Sequence, residues 1–292
     1  MKDRTRNSNQ GLRPATRRSV VAGAVATAGS ALWSRAFGGA PAAAAQGALV
    51  VPPWDDVPDC APSATDRAGQ GPFFIHDAER DDDVGLFRQD IRGQYDPQAE
   101  PGTEMQLHLR LLRAGTAGCA ATPLQDLEVY VWHCDAQGYY SGFGEPGEQQ
   151  PDVVYRFRPS QNDLDNNARF CRGAALTDAG GVVSFRSIFP GWYNGRDIHV
   201  HVMVLERGSQ SRGRRGYRGG DHVFTTQLYF EPELIDRVHK AAQPYLRRTA
   251  HPDYAGLILC DERGSSGLRM KGSLARGVVT AQMQLLIQRN SY

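Results

Sequence analysis

The sequence contains no C-x-x-C pair, no apolar run long enough to span a bilayer, little helical periodicity and almost no excess of either charge. The first absence removes the spacing on which structural zinc sites and thiol redox motifs depend. The second leaves Val20–Ala31, broken by Gly23 and Gly29, as a mild apolar stretch too short to cross comfortably. A balance of 33 basic against 32 acidic residues argues against a general nucleic-acid binder.

What the N-terminus does hold is an export pattern. Arg17-Arg18 follow Thr16 and precede the apolar run, and an Ala-rich segment then offers A-x-A cleavage sites, best placed after Ala45. A twin-arginine-type signal over residues 1–45 is expected, with an extracellular or cell-envelope destination for residues 46–292. Loss of that segment removes seven of the 33 bases and one of the 32 acids, leaving a mildly acidic 26 against 31. The remainder is long enough for one domain with a full core and holds no transmembrane span. Five cysteines (Cys60, Cys119, Cys134, Cys171 and Cys260) in an exported chain lead us to expect disulfides. The odd count leaves at least one over, and the spacing leaves the pairing open.

Past an irregular, Pro/Asp/Gly-rich arm (46–70) come the apolar patch Gly71–Ile75 and an acidic run, Asp77–Asp83, read as a solvated face. From Met105 the apolar residues recur every second position: Met105, Leu107, Leu109 and Leu111, then Leu127, Val129 and Val131. Val182–Phe185, His199–Leu205, Phe224–Phe230 and Val278–Ile287 continue the pattern, which predicts half-buried strands. One helix is predicted from Glu231-Pro232, with Leu234, Ile235 and Val238 on a common face. Short strands dominate, so the fold class is all-β: a β-sandwich core with an irregular N-terminal arm and one or two short helices. The Gly/Arg-rich Ser209–Gly220 is read as a hairpin tip or surface loop.

Two stretches carry chemistry. In His199-Val200-His201 the imidazoles sit two apart on a strand and project from one face, with Val200, Val202 and Val204 on the other. Tyr193, after a Pro-Gly turn, lies six residues upstream. Two imidazoles and a phenolate suit iron, and the anionic oxygen favours the ferric state. Taken alone, the strand reads equally as one with two partly buried, hydrogen-bonded histidines. The second stretch, Leu127–Phe143, is a strand, an Asp135–Gly138 turn, and then Tyr139-Tyr140; a tyrosine there reaches a metal on neighbouring strands or simply packs as an aromatic.

Taken together, VYVWHCDAQGYYSGF, FCRG with TD and GGVVSF, PGWYNGRDIHVH and TQLYF resemble the intradiol ring-cleavage dioxygenases over roughly residues 60–230, in particular their exported twin-arginine subgroup. The resemblance implies Fe(III) held by Tyr140, Tyr193, His199 and His201, with Tyr140 equatorial, and Tyr193 axial and doubling as an internal base. It implies a catecholic substrate and O2, cleavage between the two hydroxyls, and a muconate-type diacid product. Arg196 falls on an active-site arginine that meets developing negative charge, and Gln227 on an outer hydrogen-bonding glutamine. Phe73 and Trp192 are candidate pocket walls. The chain departs from the family pattern in the short segment Asn194–Ile198 between Tyr193 and the histidine pair, in Gln70 where a Glu often precedes Gly-Pro-aromatic, and in having no room for a long helical dimerisation segment. These departures imply a more open site and leave the preferred catechol and the oligomeric state, a homo-oligomer included, undecided. The competing class is an exported, non-catalytic β-sandwich binding module with a degenerate metal site. A copper or zinc H-x-H protein would leave both tyrosines without a role.

Overall fold

The period-two stretches become strands. The computed structural model describes residues 49–55, 64–75, 85–92, 102–114, 121–143, 168–193, 196–207, 209–210, 217–218, 220–241, 245 and 268–288. The chain divides into Met1–Gln46 and Gly47–Tyr292, and the architecture below is that of the second unit. The signal segment 1–45, the acidic run Asp77–Asp83, and Cys60, Cys119 and Cys260 lie outside the described residues.

Among the described residues the order is β1 (Glu104–Arg113), β2 (Thr122–Pro123), β3 (Glu128–Trp132), β4 (Arg172–Leu176), β5 (Val182–Ile188), β6 (His199–Glu206), β7 (Ser209–Gln210), β8 (Tyr217–Arg218), β9 (Asp221–Phe230), α1 (Pro232–Ala241), β10 (Arg269–Ala275) and β11 (Val278–Ile287). Nine strands form one continuous sheet in the order β2-β1-β11-β10-β9-β6-β3-β4, with β5 antiparallel to β1 along Glu104–Arg110. β7 and β8 pair as the hairpin expected within Ser209–Gly220. The sheet turns over at β10, which pairs with β9 through Arg269 and Met270 and with β11 from Lys271 onward. The two halves so formed enclose the main core. Met105, Leu107, Leu109, Val183, Phe185 and Leu285 come from one half, and Val129, Val131, Val200, Val202, Val204 and Leu228 from the other. Each such buried aliphatic contributes roughly 1.5–3 kcal/mol by leaving water.

The opposite face of β3, β4 and β6 carries a second, smaller core: Tyr130, Trp132, Ala174, Met203 and Leu205, covered by Phe74, Ile75 and Leu86 of the N-terminal arm. β6 is therefore buried on both faces, its two histidines included. The arm reaches this position because Gly173, Ala174 and Ala175 in the middle of β4 are small. A Cβ added at Gly173 would lie 2.5 Å from Ile91 Cγ2, and Phe87 pairs with Ala174 as an isolated bridge. The same smallness hides β4 from a reading of hydrophobic alternation.

α1 buries Leu234, Ile235, Val238 and His239 on one side. His239 Nε2 donates to Pro190 O at 3.2 Å, and Tyr245 Oη donates to Phe189 O at 2.6 Å. Both bonds brace the loop that follows β5. Of the cysteines, Cys134 and Cys171 are free and buried, so the disulfides expected of an exported chain do not involve them. They sort to different cores, one on each side of the sheet.

Candidate metal centre

Strand register assembles the centre. On β6, His199 and His201 face the smaller core while Val200, Val202 and Val204 face the larger. His201 is paired with Trp132 on β3 and with Gln227 on β9, and Trp132 in turn with Arg172 on β4. One transverse row thus reads Arg172, Trp132, His201, Gln227. The Trp132 indole stacks on the His201 imidazole, centroids 4.8 Å apart and planes 4° from parallel. One step along, His199 is paired with Tyr229, with ring centroids 5.8 Å apart.

The two tyrosines arrive on loops that lock together. Asp135 Oδ1 accepts from Gln137 N at 2.8 Å and Tyr139 N at 2.9 Å, an Asx-type turn that presents Tyr140. Gly191 N donates to Asp135 O at 2.7 Å, tying this turn to the Pro190–Tyr193 loop. The fit admits no side chain at Gly138: its φ is +94°, and a Cβ there would lie 2.4 Å from Trp192 O and 3.2 Å from Tyr193 Cβ.

Four donor atoms converge. Tyr140 Oη is 3.1 Å from His201 Nε2, 3.5 Å from His199 Nε2 and 3.5 Å from Tyr193 Oη. His199 Nε2 is 3.2 Å from Tyr193 Oη and 3.1 Å from His201 Nε2. Atoms at such spacings share a common point about 2 Å from each, the length of a metal–nitrogen or metal–oxygen bond. His199 Nδ1 donates to Asp197 O at 2.6 Å, which leaves the Nε2 lone pair aimed at the cluster. Burial pushes His201 well below the ordinary histidine value, and the neighbouring His199 adds to this, so His201 presents a neutral imidazole. Two imidazoles and two phenols form a donor set that fits ferric iron. Among the described residues no three His, Cys, Asp or Glu side chains gather as a metal site; the cluster reaches four donors only through its phenols.

Arg196 and Gln227, far apart in sequence, meet here. Arg196 Nη2 donates to Gln227 Oε1, Tyr229 Oη donates to the same oxygen at 3.3 Å, and Gln227 Nε2 donates to Gly69 O at 2.7 Å. Phe73 stacks on Tyr140 (4.4 Å, 12°) and meets Tyr193 edge-on at 6.4 Å. Trp192, the other candidate pocket wall, lies elsewhere. It is fully buried in the core between the sheet halves, whereas its neighbour Tyr193 belongs to the smaller core, because successive side chains of an extended loop take opposite sides. Trp132, Arg172, Asp135 and Tyr229 were not singled out in the sequence. For Tyr229 and Trp132 the signal lay in counting two residues from Gln227 and from Tyr130 along their strands.

No protein-family model matches the chain. The chain is similar to the catechol 1,2-dioxygenase of Acinetobacter baylyi, 27% identical over 183 residues that make up 63% of this chain and 48% of that protein. It therefore spans about half the length of that relative. Among solved structures it is similar to an intradiol ring-cleavage dioxygenase from Tetranychus urticae, with a TM-score of 0.56 and 21% identity over 77% of this chain and 95% of the other. A second dioxygenase structure gives a TM-score of 0.54 at 21% identity, over 77% and 94% of the two chains. These likenesses show a shared fold, all-β with a curled sheet and a short helix.

Proposed function

We propose that this chain is an intradiol ring-cleavage dioxygenase, which holds ferric iron through Tyr140, Tyr193, His199 and His201 and opens a catechol between its hydroxylated carbons with O2. The observation that carries the proposal is the set of five donor–donor spacings, all between 3.1 and 3.5 Å, among two phenols and two imidazoles. The similarity to a catechol 1,2-dioxygenase supports the substrate class. Bound there, ferric iron would be the Lewis acid on which a catecholate becomes reactive toward O2.

The side chains divide the remaining work. Both phenols are carried on the interlocked loops, Tyr140 1% exposed and Tyr193 8% exposed. Following the resemblance, Tyr193 is assigned as the phenol that leaves its position and takes up a catechol proton at Oη. Arg196, half-buried on the segment just before His199, places positive charge against the anion that develops on the ring. Gln227 holds that guanidinium in place, and Phe73 excludes water from the Tyr140 side.

The test is a visible spectrum and an oxygen electrode. Iron-loaded protein should be burgundy-red from tyrosinate-to-iron charge transfer and should consume O2 with at least one of catechol, protocatechuate and hydroxyquinol. A colourless, fully iron-loaded protein would sink the ligand set. A coloured protein inert toward all three would sink the reaction. Tyr193→Phe should keep iron but alter the band, and His199→Ala should lose most of the iron.

A further inference from the structure

The most deeply buried charge in this layer belongs to a residue with no role so far. Arg172 is fully buried and shares the transverse row of Trp132, His201 and Gln227. Its Nε donates to Ser141 Oγ at 3.0 Å and Ser141 O at 3.2 Å, and its Nη2 to Ser141 O at 3.0 Å and Phe73 O at 2.8 Å. Those two carbonyls belong to the residue after Tyr140 and to the phenylalanine stacked on Tyr140. The guanidinium carbon also lies 5.9 Å from the centroid of the Tyr140 ring and 5.5 Å from that of Phe143. Among the described residues no carboxylate pairs with it. Burial works against its charge, and the phenols of Tyr130 and Tyr140 work in its favour.

Burying an unpaired cation costs several kcal/mol, and neutral donors could tie Ser141 to Phe73 without that penalty. The charge therefore needs a use that a neutral clamp lacks; of the rings around it, Phe143, Tyr140 and Tyr130, only Tyr140 belongs to the donor cluster. We propose that Arg172 is the positioning residue for Tyr140: it fixes the ring beneath Phe73 and draws electron density from the phenolate oxygen that meets the metal. This rests on the ferric reading above. The cation stabilises the filled orbitals of the phenolate, so it weakens donation to iron and raises the Fe(III)/Fe(II) potential.

The experiment compares wild type, Arg172→Met and Arg172→Lys as iron-loaded full-length proteins, by iron content, visible band and reduction potential. Wild type alone decides the ferric reading: no tyrosinate band there overturns that reading, whatever the variants do. Given the band, Arg172→Met should shift it to longer wavelength and lower the potential. Arg172→Lys should stay near the wild-type wavelength while losing about 10- to 100-fold in iron affinity, because one ammonium cannot reach both Ser141 and Phe73. A folded Arg172→Met with an unmoved band and potential overturns the proposal. Should Arg172→Met fail to fold, wild-type iron affinity in Arg172→Lys overturns it instead.

Discussion

At the scale of single residues, the centre depends on what is missing as much as on what is present. Gly71 has φ +75°, and a Cβ there would lie 3.0 Å from His201 Cε1. The imidazole is already stacked on Trp132 and has little room to give. Gly71→Ala should therefore displace His201, lowering iron affinity by about 10- to 100-fold, with backbone strain costing roughly 1 kcal/mol. Metal titration beside a thermal melt separates the two effects, and undiminished affinity would show that the arm yields instead. The four side chains that converge were all named from the sequence, because a strand places His199 and His201 on one face and motif resemblance supplied Tyr140 and Tyr193. Gly71's approach, the Trp132 stack and the Arg172 clamp were not. Each depends on register between segments dozens of residues apart, which no local pattern encodes.

At the scale of elements, β10 shows why a stretch without a motif still matters to the site. Arg269 opens it, donates to Phe230 O at 2.6 Å and reaches Asp197 Oδ2 at 3.4 Å. The Asp197 side chain is 1% exposed, and its backbone carbonyl orients His199. Arg269→Gln removes one cation from beside that buried carboxylate and the donor to Phe230 O, so we expect a loss of about 1–3 kcal/mol and reduced iron retention. Urea unfolding and iron content check this, and an unchanged midpoint would show that the pair carries no weight. β1, β3, β5, β6, β9, β11 and α1 all follow from periodicity. β4 and β10 escape it, one because Gly173, Ala174 and Ala175 at its middle are small enough for the arm to lie on, the other because much of it is exposed.

At the scale of the whole molecule, three histidines outside the donor set make the fold sensitive to acid. Burial pushes His108, His133 and His239 each down to about 4. Their neutral rings are held by Ser184 Oγ at 2.7 Å, by Ser187 Oγ and Cys134 O at 2.7 Å, and by Pro190 O at 3.2 Å respectively. An unfolded chain protonates them near 6.5, so between that pH and about 4 the unfolded state binds more protons. Stability should fall as pH falls through this window, by up to about 3 kcal/mol per histidine. Urea midpoints at a series of pH values read this directly, and a flat profile from neutrality to the lower end of the window would refute it. The unbroken register of β1 with β11 has a consequence for synthesis. The two strands pair in parallel along their whole lengths, with partners 174 residues apart. At about 5–20 residues per second, one edge of β1 waits roughly 10 to 35 seconds for its partner to be made. During that interval β5 can cover only the other edge, and the nascent chain presents an open strand to whatever meets it first.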